Sequence, residues 1–90
     1  APFPGALLYL NGDDKRQVAL AEKLVKQKGD ALRVILVDGS PAELMRQWER
    51  PVYFDQAGAG VRRFGLDTVP VLIIQKNPTD RFLTIEEIKP

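Results

Sequence analysis

The sequence predicts an α/β fold, a mixed sheet with helices on both faces. Three observations point there. Two apolar runs of strand length, residues 6–10 and 32–37, enclose a stretch whose apolar residues recur at helical spacing. A second helix start follows at Ser40-Pro41. A further apolar run, residues 71–75, lacks polar alternation, as in a strand covered on both faces.

Taken in order, Ala6-Leu7-Leu8-Tyr9-Leu10 ends at the turn signal Asn11-Gly12 and reads as a buried strand. Asp13 or Asp14 caps the helix that follows, which runs to about residue 28. Val18, Leu20, Ala21, Leu24 and Val25 form its apolar stripe. Glu22 and Lys26 stand four apart in the favourable order, and Gly29 stops the helix. Leu32-Arg33-Val34-Ile35-Leu36-Val37 is the second strand, parallel to the first through a right-handed crossover.

Ser40 caps the next helix, with Pro41 at its first position and Glu43 at its third; Leu44, Met45 and Trp48 are its apolar side, and Pro51 ends it. Val52-Tyr53-Phe54 is a brief extended piece. Ala57, Val61 and Phe64 recur at helical spacing, but Gly58 and Gly60 each weaken a helix by roughly 1 kcal/mol, so a short one is expected, closed by Gly65. Pro70 lacks an amide proton and suits the first position of the third strand. Residues 76–80 read as a hairpin turn, and residues 81–86 as a fourth strand antiparallel to the third.

Length and composition narrow the function classes. Ninety residues make one domain, which can bury roughly 60–65 % of its unfolded surface without a metal or disulfide. Hydrophobic residues at 44 % and charged residues at 28 % exclude a disordered chain. There is no cysteine and no histidine. That removes thiol redox chemistry, cysteine or Ser-His-Asp nucleophiles, and zinc sites of the usual ligands. A net charge of +1 gives no long-range attraction to phosphate, so no nucleic-acid partner is expected. No apolar run approaches the roughly 18 residues of a membrane span, so no membrane insertion is expected. Residues 1–5, Ala1-Pro2-Phe3-Pro4-Gly5, read as a linker from an upstream region, and residues 6–90 as the domain.

Several constellations of residues bear on function. Asp13, Asp14 and Asp38 gather where the first two strands end, the edge that ligand sites in open α/β sheets favour. They could serve a Mg²⁺-dependent carboxylate enzyme, but helix capping and turn formation account for them more simply. Gly58-Ala59-Gly60 lacks the third glycine of a dinucleotide fingerprint, Arg63 standing there. Arg62 and Arg63 beside Tyr53 and Phe54 are a basic and aromatic group that reads as a solvated face. Trp48 between Arg46 and Arg50 fits a core edge or an interface anchor equally well.

The stretch Phe64-Gly65-Leu66, then Thr68-Val69-Pro70 entering an apolar strand, resembles the pattern of thioredoxin-like domains. That resemblance implies a four-stranded mixed sheet in the order 2-1-3-4, the fourth strand antiparallel at the edge, and a cis Val69–Pro70 bond. The redox pair of such domains would fall near Asn11-Gly12-Asp13-Asp14, where this chain has no cysteine. A closer likeness runs through Val34-Ile35-Leu36-Val37-Asp38-Gly39-Ser40-Pro41, Arg50-Pro51-Val52-Tyr53-Phe54-Asp55-Gln56, Arg62-Arg63-Phe64-Gly65-Leu66 and Val69-Pro70. Over residues 7–87 the chain resembles the C-terminal region of the TraW family of F-type conjugative type IV secretion systems. The related TrbC family shares the Arg-Phe-Gly and Val-Pro portion; Tyr53 to Gln56 favours TraW.

The resemblance implies a periplasmic location in a Gram-negative donor cell, a part in assembling the conjugative pilus, and as a partner TrbC or another periplasmic component of the conjugation system. It implies no enzyme activity, no cofactor and no metal. The expected binding surface combines Tyr53, Phe54, Asp55 and Gln56 with Arg62 and Arg63 and with Val69 and Pro70. A second reading is an inert structural domain that positions an upstream functional region.

Overall fold

A computed structural model describes residues 5–77, 79 and 81–90. The expected lead-in at residues 1–4, and Pro78 and Asp80 of the expected turn, lie outside the described residues. The chain runs β1 (Ala6–Asn11), α1 (Lys15–Lys28), β2 (Leu32–Asp38), α2 (Pro41–Trp48), β3 (Tyr53–Phe54), α3 (Ala59–Phe64), β4 (Val71–Ile74) and β5 (Thr84–Glu87). Among the described residues the sheet has five strands in the order β3-β2-β1-β4-β5. The first three are parallel, β4 runs antiparallel to β1, and β5 antiparallel to β4.

The expectation of four strands in the order 2-1-3-4 is therefore corrected in both count and order. Tyr53 and Phe54 pair with Ile35 and Leu36 of β2 and add a short parallel strand at that edge. The brief extended piece becomes a strand because β2 still has an unpaired edge to offer it. Two boundaries also move. The last strand begins at Thr84 rather than residue 81, since Ile74 opposite Thr84 is where its ladder with β4 begins. Helix α2 stops at Glu49, which takes a left-handed conformation (φ 53°) before Pro51 is reached.

Strand alternation divides the core into two faces. On one, Leu8, Leu10, Val34, Leu36 and Leu72 pack beneath Ala21 of α1 and Leu44 of α2. On the other, Leu7, Tyr9, Ile35, Val71 and Ile73 pack against Phe64, Leu66, Val69 and Leu83. Trp48 is half-buried on the first face, and its indole N–H donates to Glu22 Oε1 at 3.5 Å.

Local chemistry fixes the joints. The Asp14 carboxylate accepts from the amides of Arg16 (2.9 Å) and Gln17 (3.4 Å), capping α1. The buried Gln17 side chain donates to Asp14 and accepts from the Asn11 amide, tying the end of β1 to the start of α1. Gly12 donates to the Asp38 carbonyl at 2.8 Å, and a Cβ on Gly39 would lie 2.9 Å from Gly12 Cα. The β1–α1 and β2–α2 corners thus close backbone against backbone. Arg50 donates to the carbonyls of Gly29 (3.2 Å) and Leu32 (2.5 Å), pinning the start of β2. The Val69–Pro70 bond is cis.

Candidate functional site

The sheet face under α3 is the less covered one, because α3 has six residues where α1 has fourteen. Beside it runs an open groove of about 330 Å³, with Leu7, Tyr9 and Ile35 along its floor and Arg33 and Arg63 on its walls. Neighbouring register positions place Tyr53, Ile35, Tyr9 and Val71 in one row across the sheet, and Arg33, Leu7, Ile73 and Ile85 in the next.

Asp55 organises this region. Only 8 % exposed, its carboxylate accepts from the amides of Gly60 (2.6 Å) and Val61 (3.1 Å) at the start of α3. Its own amide donates to the Leu36 carbonyl at 2.9 Å. One residue thus joins β3, β2 and α3. Gly60 lets α3 descend onto Tyr9: a Cβ there would sit 2.8 Å from Tyr9 Cε2. The Tyr9 and Phe64 rings meet edge to face at 6.1 Å and 63°. Burial, and next the nearby Asp55 carboxylate, push the Tyr9 phenol above its ordinary 10.0, while Arg63 pulls it back.

The arginines lie across aromatic faces. The Arg33 guanidinium stands 5.2 Å from the Tyr53 ring centroid, and that of Arg63 is 5.2 Å from the Phe64 ring centroid. Both are exposed. Arg62 donates to the Ala57 carbonyl. Tyr53 is 46 % exposed and Phe54 37 %.

The chain is 39 % identical over 87 residues to the protein TraW of Escherichia coli (strain K12). This is a TraW-like domain. The match covers 97 % of this chain, and the chain spans 40 % of the length of that relative. No family model matches the chain, and no solved structure matches it significantly.

In the TraW-like domain the residues singled out from sequence fall into two groups. Tyr53, Phe54 and Gln56 flank Asp55, whose buried carboxylate binds the start of α3, the helix that carries Arg62 and Arg63; Phe54, opposite Leu36, faces the other side of the sheet from Tyr53. Val69 and Pro70 lie apart. Pro70 is buried and leads into β4, with β2 and β1 between it and β3, roughly 14 Å across the sheet. Val69 and Pro70 border a separate cavity of about 320 Å³ with Gln17 and Ile88.

The three aspartates at the strand ends also separate. Asp14 is a helix cap, and Asp13 and Asp38 are exposed. Among the described residues no group of three or more acidic, histidine or cysteine side chains could hold a metal. Among them, too, no helix is long and apolar enough to cross a membrane. Sequence reasoning passed over Tyr9 and Arg33. A signal for Arg33 was present: it shares the parity of Ile35 in an otherwise apolar strand, which marks that face as open at that point.

Proposed function

We propose that this domain is a non-enzymatic protein–protein interaction module of a conjugative type IV secretion system, acting in assembly of the conjugative pilus. The observation that supports the reading best is the 39 % identity to TraW along nearly the whole chain. The resemblance implies work in the periplasm, beside a TrbC-like assembly protein. The order of elements and the Val-Pro entry to β4 are compatible with a thioredoxin-like scaffold, here without cysteines.

The surface around β3 and α3 suits such a role. Tyr53 and Phe54 are exposed on the edge strand, Tyr53 on the face of α3 and Phe54 on the opposite face, and exposed Arg62 and Arg63 lie on α3; aromatic residues with arginine are the side chains that anchor protein interfaces. Val69, with the cavity that it and the buried Pro70 border, belongs to the proposed surface as a second, separate patch. Pull-down of TrbC with the chain carrying Tyr53→Ala and Arg62→Ala tests it. Loss of capture with the fold intact is expected; unchanged capture refutes the patch. The alternative, an inert domain, is tested by deleting it in the donor: normal pilus assembly by the remainder would favour inertness.

A further inference from the structure

We propose that the free edge of β3 takes up an extended, acidic segment of a partner protein as an added strand, with its carboxylates facing Arg33 and Arg63. The inference rests on the reading of this chain as a binding module and names the chemistry of what it binds.

Among the described residues β3 is an outer strand, paired on one side only, with β2. The Asp55 amide points inward to the Leu36 carbonyl. Backbone groups alternate along a strand, so Phe54 between Tyr53 and Asp55 turns its N–H and C=O to the outer edge. Outer edges of this kind receive extended peptides through main-chain hydrogen bonds, while flanking side chains select the sequence.

Along the groove the exposed charge is of one sign, while the exposed Asp30 shares a neighbouring cavity with Arg33 and Tyr53. Arg33 and Arg63 wall the groove, and among the described residues neither takes part in an ion pair. The acidic side chain that lines this groove, Asp55, is 8 % exposed and spends its oxygens on the amides of α3. The Tyr53 and Phe64 rings under the two guanidiniums hold them in place without neutralising them. An incoming strand that alternates acidic and apolar residues would set carboxylates on this face at the row of Tyr53. Planar guanidiniums bind carboxylates in two-pronged fashion, which favours an acidic segment over a neutral one.

Fluorescence anisotropy with the full chain tests this, using a labelled peptide of about eight residues that alternates glutamate and valine. Saturable binding that weakens as salt rises is expected, with no binding of the lysine–valine counterpart. Affinity should fall at least about tenfold in the Arg33→Gln/Arg63→Gln variant, whose changes are on the surface, and in Phe54→Pro, which removes the outward amide. Trp48 fluorescence checks that each variant is folded, and the arginine variant decides if Phe54→Pro is not. Failure of the glutamate peptide to bind, or equal binding by the folded arginine variant, overturns the proposal. So does sedimentation showing a dimer that the same substitutions abolish, since the edge would then belong to a second copy. A chain that captures TrbC while ignoring the peptide overturns this inference and leaves the binding-module reading standing.

Discussion

Replacing Gly60 with alanine tests how α3 is held to the sheet. Two effects of opposite sign compete. Alanine favours helix over glycine by at most about 1 kcal/mol. The added Cβ, however, would lie 2.8 Å from both Cε2 and Cζ of Tyr9. Tyr9 is 5 % exposed and hemmed in by Phe64, so its ring cannot swing aside. Overpacking of this kind costs about 1–3 kcal/mol. If α3 lifts instead, the edge contact between Tyr9 and Phe64 weakens, a further loss of about 0.5–1.5 kcal/mol. The clash wins, and Gly60→Ala should destabilise the domain by about 1–2 kcal/mol, lowering the melting midpoint by roughly 4–8 °C per kcal/mol. Urea unfolding followed through Trp48, the sole tryptophan, measures it. In a Tyr9→Leu background the penalty should shrink, because the two residues share one contact. A Gly60→Ala protein as stable as the native one, or more so, would refute the close approach of α3 to Tyr9.

Other substitutions probe the same joints. Asp55→Ala leaves the amides of Gly60 and Val61 without their carboxylate and should cost about 1–2 kcal/mol, with hydrogen exchange rising first in α3. Asp14→Ala removes the cap of α1 and the partner of Gln17, and should cost about 1 kcal/mol by the same urea assay. The Tyr9 phenol has a raised pKa, so the folded chain holds its proton more tightly than the unfolded chain does. Its contribution is intact below pH 10 and lost as pH climbs through the raised value; Tyr9→Phe should therefore show a shallower loss of stability as pH rises above 10.

Much of the fold is legible in the sequence where local chemistry and burial agree. Asp14, Ser40, Gly29 and Gly65 cap helices in the structure as their residue types suggest. The apolar runs become β1, β2 and β4 nearly residue for residue. β3 is less legible because two residues carry no periodicity; only an unpaired edge of β2 makes them a strand. The start of β5 is equally hidden, since register with β4 sets it. Of the candidate site, the segment Tyr53 to Gln56 is joined through Asp55 to the short helix of the two arginines, while Phe54 faces the other side of the sheet. Val69 and Pro70 do not join them, because two strands stand between.

The sequence by itself determines the order of elements, the helix caps and the lack of cysteine and histidine chemistry, since these depend on residue type and near neighbours alone. Only the tertiary structure decides the rest. It makes Asp55 a cap five residues ahead of the amide it binds, when its neighbours read as an exposed motif. It turns Gly60 from a weak point in a helix into the residue that lets Tyr9 in. And it leaves Arg33 beside Arg63 on one groove, two guanidiniums from distant parts of the chain that only the packing of α3 against the sheet brings together.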